Sequence, residues 1–209
     1  MKKIALVNSL GDIFKLLDGA PTWSKELKEK ALERQKNLLK PANSLGQLED
    51  MAVFLSSWGK KTMKDMEKIS SIIFAGNHGV CRQAVNPFPQ EVTFQMVETF
   101  KSGKAAINKI CELNEINLEV IPINLEKPTA DISVGPAMDE MEFVESFNIG
   151  LSAVSESMDL VTLGEMGIGN TTIASALCYH FFNNEVSSWV GPGTGSTRDQ
   201  IIHKGEIIK

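Results

Sequence analysis

The chain has 209 residues, enough for one good-sized domain or one domain with a small appendage. Hydrophobic residues make up 43% and charged residues 22%, an ordinary globular balance, and the formal net charge is −5 with no basic stripe, which argues against a nucleic-acid surface. Cys81, Cys111 and Cys178 are far apart and match no metal-ligand spacing, no stretch has the shape of a signal peptide and none is long enough to span a membrane, so a reducing, cytoplasmic setting is expected.

In chain order, residues 4–20 predict a short helix stopped at Pro21, with Thr22 as the expected cap of the next one. That second helix, residues 23–39, is strongly charged, and Arg34-Gln35-Lys36 near its end suits the helix dipole. After a turn at residues 40–46, residues 48–58 place Leu48, Met51, Ala52 and Leu55 on one face of a third helix. This N-terminal part lacks a sheet of its own and reads as a helical appendage, residues 1–60, beside an α/β core at residues 61–209.

From residue 69 the character changes. Ile69-Ser70-Ser71-Ile72-Ile73-Phe74-Ala75 predicts a buried strand that ends in Gly76-Asn77-His78-Gly79-Val80. Ligands in open α/β sheets gather beyond the carboxyl ends of strands, so Asn77 and His78 are candidate site residues, although a lone histidine is also a common structural residue. Pro87-Phe88-Pro89-Gln90-Glu91 precedes a helix predicted over residues 91–113. Glu91 is either a simple first-turn acid or a side chain held at a pocket by the rigid loop before it.

Residues 118–123 predict a second strand, which Pro122 confines to a sheet edge or marks as an end. A polar loop follows at 124–136, then a helix over 140–158 with Phe143, Phe147, Leu151 and Val154 along one face. Leu160-Val161-Thr162-Leu163 then leads into Gly164-Glu165-Met166-Gly167-Ile168-Gly169-Asn170-Thr171-Thr172, and Ile173-Ala174-Ser175-Ala176-Leu177 leads out. This order reads as strand, glycine-rich turn and helix N-terminus, where backbone amides favour a phosphate or carboxylate. Glu165 beside an anion-friendly turn is either a solvated surface acid or an acid with chemical work. Residues 186–190 predict a short strand ending in Gly191-Pro192-Gly193-Thr194-Gly195, and a last helix from Thr197 carries His203 and Lys204.

The repeated grammar of strand, loop and helix predicts an α/β fold, a three-layer parallel sheet with helices on both faces plus the small N-terminal helical part. The loops at 76–80, 164–171 and 191–195 would then share one carboxyl edge. Neither glycine loop matches a dinucleotide fingerprint or a P-loop.

Several blocks together resemble the nicotinate-nucleotide:dimethylbenzimidazole phosphoribosyltransferase family, which serves lower-ligand assembly of cobalamin. They are Arg34-Gln35, Lys40-Pro41, Ser44-Leu45-Gly46, residues 75–80, Pro89-Gln90-Glu91-Val92-Thr93, Gly135-Pro136-Ala137-Met138, residues 164–172, and Gly191 with Gly193-Thr194-Gly195. The resemblance implies a glycosyltransferase that moves the phosphoribosyl group of nicotinate mononucleotide onto 5,6-dimethylbenzimidazole, giving α-ribazole phosphate and nicotinate. It implies no metal and no cofactor, and a cytoplasmic homodimer that acts on small molecules rather than nucleic acid or membrane.

Carried onto this chain, Glu165 resembles the catalytic pocket acid and Glu91 the acid near the aromatic base. Phe88, Gln90, Asn77, His78 and Met166 would line the substrates. Gly167, Ile168, Gly169, Asn170 and Thr171 would hold ribose and phosphate, with Gly193, Thr194, Gly195 and Lys204 on the phosphate side. The chain departs from the family pattern where Asn77 replaces the usual Asp, Pro192 a frequent Arg, Phe88 a common Tyr and Ala42-Asn43 a Pro-Gly pair. Family members run well beyond this length and carry their general-base glutamate past the position of Lys209. The chain therefore reads as truncated at its C-terminus, and an inactive nucleotide- or base-binding remnant stands as the alternative.

Overall fold

A computed structural model describes residues 5–59, 66–182 and 184–209. The expected boundary between appendage and core, at residues 60 and 61, lies outside the described residues, as does residue 4, the expected start of the first helix. The first three helices are α1 (Leu10–Asp18), α2 (Lys25–Asn37) and α3 (Gln47–Trp58). Ser24, not Thr22, caps α2: its hydroxyl accepts from the Leu27 amide at 3.2 Å. A serine one position before the first helical residue satisfies an orphan amide that Thr22 is too far away to reach. Helices α2 and α3 pack on each other, and the Ser24 amide bonds the Ser57 carbonyl at 2.8 Å.

The core begins with β1 (Ile69–Gly76) and a 3₁₀ turn at Gly79–Gln83. There follow α4 (Glu91–Lys101), α5 (Ala106–Leu113), β2 (Asn117–Ile123), α6 (Glu140–Ala153), β3 (Leu160–Met166) and α7 (Asn170–Phe181). A second 3₁₀ turn, Val186–Ser188, and α8 (Arg198–Ile208) complete the described chain.

The three strands form one parallel sheet in the order β2-β1-β3. The connection from β1 to β2 runs one way and that from β2 to β3 runs back past β1, so right-handed crossovers place their helices on opposite faces. Helices α4 and α5 pack on β1 and β2, while α6 faces the side of β2 that carries Glu119 and Ile121. Central β1 is accordingly covered on both sides: Ile72, Ile73 and Ala75 are all buried. Pro122 sits in an edge strand, where its missing amide leaves no rung of the sheet unpaired. The segment before α2 belongs with α6 rather than with α2 and α3. Val7, Ile13 and Val144 form a small core with Leu10, Phe147 and Leu151, and Asn148 pairs with both the amide and the carbonyl of Val7.

Three expected elements differ. The helix expected over 91–113 is two helices, broken where Gly103 adopts φ +72°, a left-handed conformation that ends α4 without steric cost. The strand expected at 186–190 is the second 3₁₀ turn and takes no place in the sheet; Val186 instead packs its buried side chain toward Gly205 of α8. The helix expected to reach residue 158 stops at Ala153, so Val154 lies beyond its apolar face. No helix among the described residues is long and apolar enough to cross a membrane.

Candidate functional site

Because β1 and β3 are parallel and paired from Ile69↔Leu160 to Ala75↔Met166, their carboxyl ends emerge side by side. The loop after β1 carries Asn77 and His78, and the loop after β3 carries residues 167–169, so the two glycine-containing turns meet. Gly167 has no room for a side chain, because a Cβ there would collide with the Gly76 carbonyl and the Asn170 amide group. Gly169 caps α7 at φ +99°, a conformation that glycine adopts readily.

Glu165 points from β3 into a cleft of about 420 Å³ bounded by Phe74, Gly76, His78, Ile123, Asn170, Thr171 and the first turns of α7. A chain of polar contacts crosses it. The Asn170 side-chain Nδ2 donates to the Glu165 carboxylate, and Asn170 Oδ1 lies 2.6 Å from His78 Nε2. An amide oxygen only accepts, so His78 carries its proton on Nε2. Burial keeps the His78 pKa below its ordinary value, against the opposing pull of Asn170, and the neutral Nε2–H tautomer suffices for the contact. Partial desolvation in the cleft holds the Glu165 carboxyl above the usual carboxylate value, which suits an acid that takes up a proton.

On the other side of the α7 N-terminus stands Lys204. Its side chain from α8 is 1% exposed, and Nζ reaches Thr171 Oγ1 at 3.3 Å and the Gly191 carbonyl at 3.4 Å. Desolvation lowers its pKa, and no carboxylate among the described residues offsets that burial. Gly193 packs beside Thr171, where an added Cβ would lie 3.1 Å from the hydroxyl oxygen. The second glycine loop thus reaches the site although no strand leads into it. Thr194 is exposed, and Gly195 adopts φ +114° beside open space. Consecutive residues Asn170 and Thr171 therefore carry an acid on one side and a buried ammonium on the other, at a helix N-terminus whose dipole favours anions.

A second cleft of about 270 Å³ opens where Glu91 begins α4, lined also by Asn77, Gln90, Phe94, Leu125 and Pro128. Gln90 ties it to the first cleft, since its amide donates to the His78 carbonyl at 2.5 Å. Asn77 is buried between the two: its amide donates to the Leu125 carbonyl at 3.0 Å, and its own Oδ1 has no partner. Phe88 is half exposed and borders neither cleft; Met166 is partly buried at the end of β3 without lining either one. Ile168 is buried, so it contributes backbone rather than a side-chain surface.

Two residues outside the expected set hold the loop. The Thr93 hydroxyl accepts from the buried Ile168 amide at 3.0 Å, and the Cys81 thiol donates to the Ile168 carbonyl at 3.1 Å. The spacing of Cys81 carries no signal of this, and Thr93, two residues after Glu91, stands out only as the end of the block at 89–93. Among the described residues no group of three or more His, Cys, Asp or Glu side chains is placed to hold a metal ion.

The profile of the family described as "Phosphoribosyltransferase" matches residues 20–209. Among curated relatives, the nicotinate-nucleotide–dimethylbenzimidazole phosphoribosyltransferase of Rhodobacter capsulatus is 44% identical over 198 residues, covering 95% of this chain and 59% of the relative. The protein of the same name from Methylorubrum extorquens is 41% identical over 202 residues, covering 97% of this chain and 59% of its own length. The crystal structure of CobT from Thermus thermophilus superposes with a TM-score of 0.73 at 30% identity, over 88% of this chain and 61% of that one. The chain thus spans about three-fifths of the length of these relatives, 59% in both curated cases.

Proposed function

The chain belongs to the phosphoribosyltransferase family, and from that premise we propose that it transfers the phosphoribosyl group of nicotinate mononucleotide to 5,6-dimethylbenzimidazole, yielding α-ribazole phosphate and nicotinate for the lower ligand of cobalamin. The observation that carries this reading is the pairing at the α7 N-terminus: Glu165 on Asn170 and buried Lys204 on Thr171. A phosphoribosyl donor presents those two needs a few bonds apart. Its phosphate is met by the Lys204 ammonium and the loop amides of Gly167, Gly169 and Thr171, since those of Ile168 and Asn170 are taken by Thr93 and the Gly167 carbonyl, with residues 193–195 alongside. Its anomeric carbon, which gains positive charge as the nicotinate nitrogen departs, lies toward the carboxylate.

The steps follow from that placement. An unprotonated ring nitrogen of the base attacks the anomeric carbon. The bond to nicotinate breaks, and its electron pair neutralises the pyridinium. The benzimidazolium so formed loses its other N–H proton to a carboxylate; the family resemblance puts that base past Lys209, and within this chain Glu165, whose pKa desolvation raises, is the carboxylate proposed to stand in for it. Glu91 and Gln90, at the neighbouring cleft, hold the aromatic base, with Asn77 and His78 forming the wall between the subsites. Phe94, which lines the Glu91 cleft, supplies its aromatic surface, while Phe88 and Met166, expected there from the sequence, lie outside both clefts.

We assign residues 1–60 to a helical appendage in which α2 and α3 form the small-domain part while residues 7–13 pack on α6, and residues 61–209 to the catalytic core. The molecule is proposed to act in the cytoplasm as a homodimer and to bind no nucleic acid. The net charge of −5 supports the last point, and exposed Leu163, Leu177 and Phe181 support self-association.

The test is base exchange with the purified chain. Nicotinate mononucleotide and dimethylbenzimidazole are expected to give ribazole phosphate with release of one nicotinate per product. Calorimetric binding of the mononucleotide without any product would replace this reading with that of a nucleotide-binding remnant, and absence of both would refute it.

A further inference from the structure

The peptide groups flanking Ile168 are held by side chains of two different elements. The Ile168 amide donates to Thr93 Oγ1 at 3.0 Å, and the Ile168 carbonyl accepts from Cys81 Sγ at 3.1 Å. Thr93 is 0% exposed and lies in the first turn of α4, which starts at Glu91. Cys81 lies in the 3₁₀ turn that follows His78. A further contact orients the thiol: Asn86 Nδ2 donates to the sulfur at 3.3 Å, leaving the sulfur's own hydrogen for the carbonyl. Burial raises the Cys81 pKa, so the donor stays protonated near neutral pH. Beside it, Gly169 packs so closely that an added Cβ would stand 2.8 Å from the same sulfur.

The geometry points to Thr93 and Cys81 as positioning residues that clamp the Ile168 backbone and thereby couple the helix carrying Glu91 to the loop proposed to hold ribose and phosphate. Neither side chain lines the clefts of Glu165 or Glu91. Both act through the backbone of residues 167–169, from which α7 starts and on whose direction the Asn170 and Thr171 contacts depend. Without the clamp a buried amide has no acceptor, and the loop opens to water to satisfy it. Because Thr93 sits two residues from Glu91, a shift of α4 on filling the base cleft moves the acceptor of the Ile168 amide. The two subsites are thus mechanically joined through one hydroxyl.

This inference rests on the functional reading above for what the loop binds, but not for the clamp itself, and the test separates them. Amide hydrogen exchange in the full chain is compared for wild type, T93V, T93S, C81A and C81S, alongside calorimetric titration with nicotinate mononucleotide. T93V keeps the shape and removes the acceptor. It is expected to speed exchange at Ile168 by about tenfold or more relative to Ile72 of β1, while T93S stays near wild type. C81A is expected to loosen the same amide and C81S to restore it, so the clamp is judged even where T93V does not fold. The mononucleotide is expected to bind about fivefold or more weakly to T93V than to T93S, a difference of about 1 kcal/mol. Exchange at Ile168 that rises no more than at Ile72 in T93V and C81A overturns the clamp. A wild-type chain that takes up no mononucleotide, with the exchange pattern as expected, refutes the functional reading while the clamp is upheld.

Discussion

Replacing Lys204 with methionine separates what this residue does for folding from what it does for a ligand. The Lys204 side chain is 1% exposed, and its ammonium has two long hydrogen bonds, to Thr171 Oγ1 at 3.3 Å and the Gly191 carbonyl at 3.4 Å. No carboxylate among the described residues offsets its desolvation. Methionine keeps most of the apolar stem and removes the charge. Relief of a buried, uncompensated ion is worth about 1–2 kcal/mol here, net of the two hydrogen bonds that the substitution removes. In a chain of this size that raises Tm by about 2–8 °C. The sign with pH follows from the lowered pKa. The penalty on the wild type is full below the depressed pKa and fades as pH rises from there toward 10.5, so the advantage of K204M closes over that window. A phosphate ligand supplies the counter-ion that the fold itself does not provide. Losing charged hydrogen bonds of about 1.5–3 kcal/mol should weaken nicotinate mononucleotide binding by about 10–150-fold. Thermal melts with and without the mononucleotide read both effects. A K204M chain that melts below wild type and binds the mononucleotide unchanged would rule out both the buried-charge penalty and the phosphate contact of Lys204.

Three further outcomes are expected. G167A forces a Cβ against the Gly76 carbonyl, which is backbone and cannot swing away, so urea denaturation should show a loss of about 1–3 kcal/mol; an unchanged midpoint would contradict the close approach of the two turns. E165Q removes a carboxyl whose folded pKa is raised above 4.5 by desolvation. That group stabilises the wild type fully only below 4.5 and loses the contribution as pH rises through its folded value, so E165Q should melt higher than wild type at pH 7 and the two should converge in acid. The same variant should slow base exchange by about 10²–10⁴-fold. N170D places a carboxylate against His78 Nε2, which should lift the His78 pKa from its depressed position in an NMR titration; a histidine that titrates as in wild type would remove Asn170 from the contact.

The parts of the fold that can be read from residues alone are those with one dominant physical signal. Residues 69–75 form a nearly continuous apolar run because β1 is buried on both faces, and Pro122 marks an edge because an edge is where its missing amide costs nothing. The Glu165 turn is visible because glycines at 164, 167 and 169 between an apolar run and a small-residue helix have few other uses. Residues 186–190 carry a similar strand-like pattern, yet β3 pairs on one side only and the segment packs on α8 instead, a tertiary choice that a five-residue pattern does not encode. Gly103 reads in the sequence as an interior position of one long helix, while its φ of +72° makes it a break between α4 and α5. Within the site, Asn170 is expected to face substrate, but its side chain is occupied by His78 and Glu165 and its amide by the Gly167 carbonyl, so it shapes the turn instead. The Thr93 and Cys81 contacts span 75 and 87 residues and have no local signature at all.

The loops around the α7 N-terminus are proposed to bind a phosphoribosyl donor. Amide chemical-shift mapping with nicotinate mononucleotide tests this binding most directly. The largest changes are expected at residues 167–171 and 193–195, with K204M erasing them at the same ligand concentration. Changes centred instead on the groove between α6 and β2, around Ile121, Met141 and Val144, with residues 167–171 unmoved, would contradict it.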